Sequence, residues 1–198
     1  NLTLSLPLDI SITTVMDALS HSLEAIWNKN ANNTSTDFAI SAVCSILRNV
    51  EVLKQTPSDL SIRNKLLNAS TVSGLAFSNT TTAAAHSMSY PLTIHYEIPH
   101  GVASSIGLIP LLEINGKLIK EPLDKICNNL ELTYNELKQT IKAIPQGVIP
   151  YTLKAWGIPE DQLLGLAGES FTKGRMNNNI VDLKTDDILM ILKELYSD

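Results

Sequence analysis

Residues 13–29 read TTVMDALSHSLEAIWNK, and this stretch decides the fold class. Its apolar residues Met16, Leu19, Leu23, Ile26 and Trp27 recur at steps of three and four, the period of a helix with one face turned inward. The same period runs on through the chain. Thr34 or Ser35 can cap a second helix carrying Phe38, Ile40, Val43, Ile46, Leu47 and Val50. Pro57-Ser58-Asp59 is a turn and N-cap signal that opens a third, through Leu60, Leu66, Leu67, Val72 and Leu75. Ala83-Ala84-Ala85 begins another, which Pro91 is expected to end. Residues 101–115 are apolar all round, so they predict one fully buried helix with a kink at Pro110. Shorter helical pieces follow near residues 117–129, 134–144 and 159–171, and Thr185-Asp186-Asp187 caps a last helix ending at Tyr196. Only Leu92–Tyr96 has a strand-like look. The pattern predicts one all-α domain, a multi-helix bundle over residues 1–198, with its chemistry in the first half.

Composition narrows the function. A chain of 198 residues is the size of one domain, and 44% hydrophobic with 18% charged residues marks it as foldable. The net charge of −5 leaves no broad basic face, so nucleic acid is not an expected partner. No apolar run approaches the roughly 20 residues that span a bilayer, so no membrane role is expected. The start, NLTLSLPLDI, has no basic region before an apolar core and does not read as a secretory signal. Cys44 and Cys127 are too far apart in sequence for a zinc ribbon or a redox CxxC. Both read as buried free thiols of a cytoplasmic protein. The Asn-x-Ser/Thr triplets at Asn32, Asn33, Asn68 and Asn79 then read as chance matches. Neither GxGxxG nor GxxxxGK[ST] occurs, so no phosphate-cradling turn is present.

The four histidines, His21, His86, His95 and His100, all lie in the first 100 residues. Asp17 and His21 stand at i and i+4, one above the other on one helix face, a bite suited to a divalent ion. Taken alone, the pair reads first as a surface hydrogen bond, with the chelate as the alternative. His86 is the one large polar group in an alanine-rich stretch, either a satisfied core histidine or a ligand. His100, between Pro99 and Gly101, lies at a helix start, either as a turn histidine or as a ligand. His95 has no partner that the sequence shows and is left out. One acid and three imidazoles make a mixed O/N donor set suited to Fe²⁺ or Zn²⁺.

These residues carry a resemblance. Met16 to Glu24, MDALSHSLE, resembles the D-A-L-x-H-x-x-E motif of the iron-containing (group III) alcohol dehydrogenases. Downstream, His86 and the stretch Tyr90-Pro91-Leu92 to Ile98-Pro99-His100-Gly101 are similar to that family's second signature, in which a histidine lies fourteen residues before the histidine of a P-H-G triplet. Thr71–Asn79 looks like the family's small-residue helix. The likeness is close over most of residues 1–115 and loose beyond.

The resemblance implies a fold and an activity. Asp17, His21, His86 and His100 would hold Fe²⁺, with Zn²⁺ as the alternative. Residues 1–198 would correspond to the C-terminal all-helical domain, the N-terminal Rossmann-like domain that binds NAD(P) being absent from this chain. The whole enzyme would be a homo-oligomeric alcohol dehydrogenase or aldehyde reductase. Two departures stand out. Val15 replaces a glycine common in the family, and Tyr90 replaces a histidine that faces the substrate pocket. Tyr90 can still donate a hydrogen bond, which makes it the candidate catalytic side chain. Ser89-Tyr90-Pro91-Leu92, Trp27–Asn32 and Arg175–Asn179 are similar to the phosphonoacetaldehyde reductase branch, making phosphonoacetaldehyde a candidate substrate. The alternatives are a zinc-dependent glycerol or polyol dehydrogenase and a non-catalytic helical interaction domain.

Overall fold

The computed structural model describes residues 3–197. Among them the regular structure is helical: α1 (Leu8–Ile26), α2 (Asn33–Gln55), α3 (Leu60–Thr80), α4 (Ala84–Tyr96), α5 (His100–Ser105), α6 (Leu108–Asn115), α7 (Lys120–Leu130), α8 (Tyr134–Ala143), α9 (Leu163–Glu169) and α10 (Thr185–Ser197). The nearest thing to a sheet is an isolated antiparallel bridge between Asn28 and Asn179. The all-α expectation therefore holds. No single helix among the described residues is long and apolar enough to cross a membrane. The segment α5–α6 reaches that length and apolarity only together with α7, and the pair is bent by 117°.

Helix α1 is the central element, packed by α2 and α3 on one side and by α5 and α4 on the other. Its fully buried Ile12, Leu19, Leu23 and Trp27 join Val43, Ile46, Val50, Leu92 and Ile98 in one core. Small residues bring the helices close. The Ser73 hydroxyl donates to the Ala18 carbonyl at 2.7 Å, joining α3 to α1, and the Ser20 hydroxyl donates to the Ser104 carbonyl at 2.7 Å, joining α1 to α5. At Gly101 a Cβ would stand 2.1 Å from the Thr13 carbonyl oxygen, so only glycine lets α5 lie this close to α1.

The structure corrects several local expectations. The cap of α2 is Asn32 rather than Thr34 or Ser35: its side chain accepts from the Ser35 backbone, and the Ser35 hydroxyl accepts from the Asn32 N–H in return. Asp59 caps α3 as expected, accepting from Ser61 and Ile62. Pro91 does not end α4, which runs on to Tyr96 and also absorbs the strand-like Leu92–Tyr96. Pro91 and Leu92 are buried, and that packing outweighs the one helical bond a proline removes. The helix stops where Glu97 turns left-handed at φ 54°, ahead of Pro99. Residues 101–115 form two helices, not one. The break falls at Ile106-Gly107, while Pro110 sits in the first turn of α6, where its missing N–H has no helical partner to lose. Cys44 is buried and Cys127 only half-buried; both are free thiols.

Candidate metal centre

Three elements bring four side chains together. Helix α1 presents Asp17 and His21 one turn apart, α4 presents His86, and the turn into α5 presents His100, held beside α1 by the close approach at Gly101. The Asp17 carboxylate is their common centre. Its Oδ2 lies 3.7 Å from His21 Nδ1, and its Oδ1 lies 3.5 Å from His86 Nε2 and 3.6 Å from His100 Nε2. Asp17, His21 and His86 each offer an atom within 4.8 Å of the others. His100 stands at the rim of that trio, in reach of the carboxylate but with 49% of its side chain exposed.

The rings are packed in series. Phe77 stacks on His21 at 4.1 Å between centroids, His21 lies 4.2 Å from His86, and His86 lies 5.3 Å from His100. His86 is the fixed point. Its Nδ1 lies 2.6 Å from Glu24 Oε2, and its backbone N–H donates to Glu24 Oε1 at 3.1 Å. Glu24 is fully buried, so its carboxylate is committed to His86. With Nδ1–H bound to Glu24, Nε2 is turned toward Asp17. That buried atom has no hydrogen-bond partner. The buried Ser104 hydroxyl donates to Asp17 Oδ1 at 3.0 Å.

The electrostatics follow from this packing. Burial alone would raise the Asp17 pKa, but the imidazole of His86 3.5 Å away, and after it the charges of His21 and His100, bring it below its ordinary value. Burial and the neighbouring His86 charge push His21 down to about 4, against the pull of Asp17 and Glu24. Burial works to lower His86 too, yet the nearby Asp17 carboxylate and the bond to Glu24 prevail and hold it up at about 9. Around the carboxylate, then, His21 is the neutral imidazole and His86 the charged one.

These groups fit a divalent ion. Atoms held about 2.1 Å from a tetrahedral ion stand about 3.4 Å from one another; Asp17 Oδ1 lies 3.5 and 3.6 Å from His86 and His100, and its Oδ2 lies 3.7 Å from His21. The unpartnered Nε2 of His86 supplies, once it gives up its proton, the lone pair such an ion takes, and Glu24 behind it is the carboxylate that commonly orients a ligating histidine.

Of the four residues nominated from the sequence, Asp17, His21 and His86 form one cluster, and His100 reaches the Asp17 carboxylate from its rim. The surface hydrogen bond read for Asp17 and His21 does not form, since 3.7 Å is beyond hydrogen-bonding distance. Tyr90 lies one turn after His86 on α4, half-buried, with the Arg175 guanidinium 5.2 Å over its ring. His95 lies apart, paired with Glu169 at 2.6 Å on the exposed side of α4. Sequence reasoning missed Glu24, Ser104, Phe77 and Arg175. For Glu24 the signal was present: it is seven residues after Asp17, on the same helix face.

Residues 11–196 match the model of the Fe-containing alcohol dehydrogenase family, C-terminal part. The long-chain-alcohol dehydrogenase 1 of Geobacillus thermodenitrificans is 30% identical over 186 residues, which cover 88% of this chain and 47% of that protein. Among solved structures, the sulfoacetaldehyde reductase from Bifidobacterium kashiwanohense, in complex with NAD+, superposes with a TM-score of 0.88 at 26% identity, covering 99% of this chain and 52% of that one. A 1,3-propanediol oxidoreductase superposes at 0.86, also at 26% identity, with 98% and 53% covered. The chain therefore spans about half the length of the relatives it matches.

Proposed function

The chain belongs to the iron-containing alcohol dehydrogenase family, and from that premise we propose that it is the metal-holding part of an NAD(P)-dependent alcohol dehydrogenase or aldehyde reductase. One observation carries the reading: three imidazoles from three elements converge on Asp17, with the buried His86 Nε2 left unpartnered. A helical interaction domain has no use for that arrangement, because an unpartnered buried polar atom costs about 1–3 kcal/mol.

Asp17, His21, His86 and His100 would hold the ion, Fe²⁺ or Zn²⁺. When bound, the ion supplies Lewis acidity that polarises the oxygen of an alcohol or aldehyde. The chain's own residues do the positioning. Glu24 fixes the tautomer and angle of His86, and the Phe77 stack fixes His21. Ser104 holds the Asp17 carboxylate toward the imidazoles. Exposed His100 marks the side from which substrate enters. Tyr90, one turn from His86, offers a hydroxyl to substrate on that side. The nicotinamide would be held by a part of the enzyme other than this helical unit, which has no glycine-rich turn. On this reading the chain alone neither binds NAD(P)H nor oxidises it. Phosphonoacetaldehyde remains the named substrate candidate, and the two free thiols fit a reducing, cytoplasmic setting.

The test is metal stoichiometry on the chain as it stands. Chelator-treated chain reloaded with Fe²⁺ or Zn²⁺ should hold one ion, and His86→Ala should lose it while helicity by circular dichroism is kept. Retention of a full equivalent by His86→Ala would remove the basis of the proposal. Whether Fe²⁺ or Zn²⁺ is retained after dialysis separates the iron reading from the zinc polyol-dehydrogenase reading.

A further inference from the structure

Arg175 is a cation without an anion. Its Nη1 donates to the Thr82 hydroxyl, and its guanidinium lies 5.2 Å over the Tyr90 ring. Among the described residues no carboxylate forms an ion pair with it. The acids nearest in sequence are engaged elsewhere, Glu169 with His95 and Asp182 with Lys29. Nε and Nη2 carry no hydrogen bond within the described residues, so most of the planar fork is free.

Its position matters more than its charge. His86 and Tyr90 stand one turn apart on α4, Thr82 lies just ahead of that helix, and Arg175 touches Thr82 and Tyr90. The guanidinium therefore lies over a ring that α4 carries one helical turn, roughly 6 Å along its axis, beyond His86. Stacking on an aromatic face fixes the plane of an arginine and leaves its edge free for two parallel bonds to an oxyanion.

We propose that Arg175, seated on Tyr90, is the subsite for an anionic end group on the substrate. The ligand class is a short alcohol or aldehyde with a terminal phosphonate, sulfonate or carboxylate, its reacting oxygen at the Asp17–His86–His100 set and its anion two to three carbons away. The distance between the two ends rests on the proposed dehydrogenase reading; the anion subsite itself does not.

The experiment titrates the chain, with and without Zn²⁺, with four probes of similar length: 2-hydroxyethylphosphonate, isethionate, 3-hydroxypropionate and neutral 1,3-propanediol. Affinity is read by calorimetry and location by the Arg175 Nε–H resonance. At least one anion should bind about tenfold or more tighter than the diol, as charge-assisted bonds do, and should shift that resonance. Which anion leads separates phosphonate, sulfonate and carboxylate substrates. R175M should abolish the anion's advantage and leave the diol unchanged. Equal affinity for anions and diol, equal loss of both in R175M, or an unmoved Arg175 resonance would each overturn the subsite. The resonance needs no variant, so it decides even where loss of the Thr82 bond unfolds R175M. Failure to bind Zn²⁺ with the anion preference intact would overturn the metal reading and leave the subsite standing. Zn²⁺ binding without anion preference would do the reverse.

Discussion

Loading the metal must drive a proton off His86, and this makes affinity depend steeply on pH. Without an ion, His86 is held protonated up to about 9 by Asp17 and Glu24. A ligating histidine must offer a lone pair, so Nε2 has to lose its proton before it can bind. At pH 7 that is two pH units below its pKa, a cost of about 2.7 kcal/mol, or about 100-fold in affinity relative to the fully deprotonated site. His21, at about 4, is already neutral and releases nothing. Between about pH 7.5 and 8.5 His86 still carries its proton. Zn²⁺ affinity should therefore rise about tenfold per pH unit, with close to one proton released per ion. Competition with a chelator of known affinity gives the slope, and calorimetry in buffers of different ionisation enthalpy counts the protons. Glu24→Gln provides the internal check. It removes the carboxylate on Nδ1, so the slope should flatten, while affinity at high pH falls about 10–100-fold from the loss of orientation. A pH-independent affinity with no proton release would refute the account of His86 as an imidazolium between two acids.

Further outcomes follow from the same geometry. Tyr90→Phe should leave metal content unchanged and move only substrate parameters; loss of the ion in this variant would mean that Tyr90 has become a ligand. The chelator-treated chain should be most stable near pH 6.5, as read by urea midpoints. The raised His86 contributes stability that is full below 6.5 and lost as pH climbs through about 9, while the depressed His21 contributes stability that is full above 6.5 and lost as pH falls to about 4. Each is at most about 3 kcal/mol. A monotonic profile across that range would contradict the pair. Gly101→Ala should lower stability by about 3 kcal/mol or more, because its Cβ meets the Thr13 carbonyl. It should also weaken Zn²⁺ binding by moving His100 off α1, and a variant with both unchanged would show that the close approach is dispensable.

Helix existence was legible because burial on one face writes a period into the sequence, and α1 to α3 carry that period clearly. Helix ends were less legible where tertiary packing overrules local preference. Pro91 is the instructive case. Its ring breaks one bond of α4, but the burial of Pro91 and Leu92 against the core lies in contacts that no local window contains. The split between α5 and α6 has the same origin. A uniformly apolar run has no period, so nothing in it said that the chain turns at Gly107 rather than at Pro110.

The residues of the candidate site were legible and those packed behind them were not, and chemistry explains the difference. Asp17 and His21 could be paired from spacing alone because both lie on one helix. His86 and His100 were joined to them only through the resemblance, since their meeting depends on how α4 and α5 cross α1. Glu24 escaped because a glutamate on a helix normally reads as solvated, and only the packing of α4 shows that this one is sealed under His86. Arg175 escaped for the opposite reason. It lies far along the chain in an irregular segment, and its significance rests on what is missing around it among the described residues, a carboxylate. Donor types can be read from a sequence, but whether a charge is satisfied can be read only once its neighbours are in place. It follows that functional charges in this chain are to be sought where the fold leaves a polar atom unmatched. His86 Nε2 and the fork of Arg175 are two such places, the second seated on Tyr90, one turn along α4 from His86.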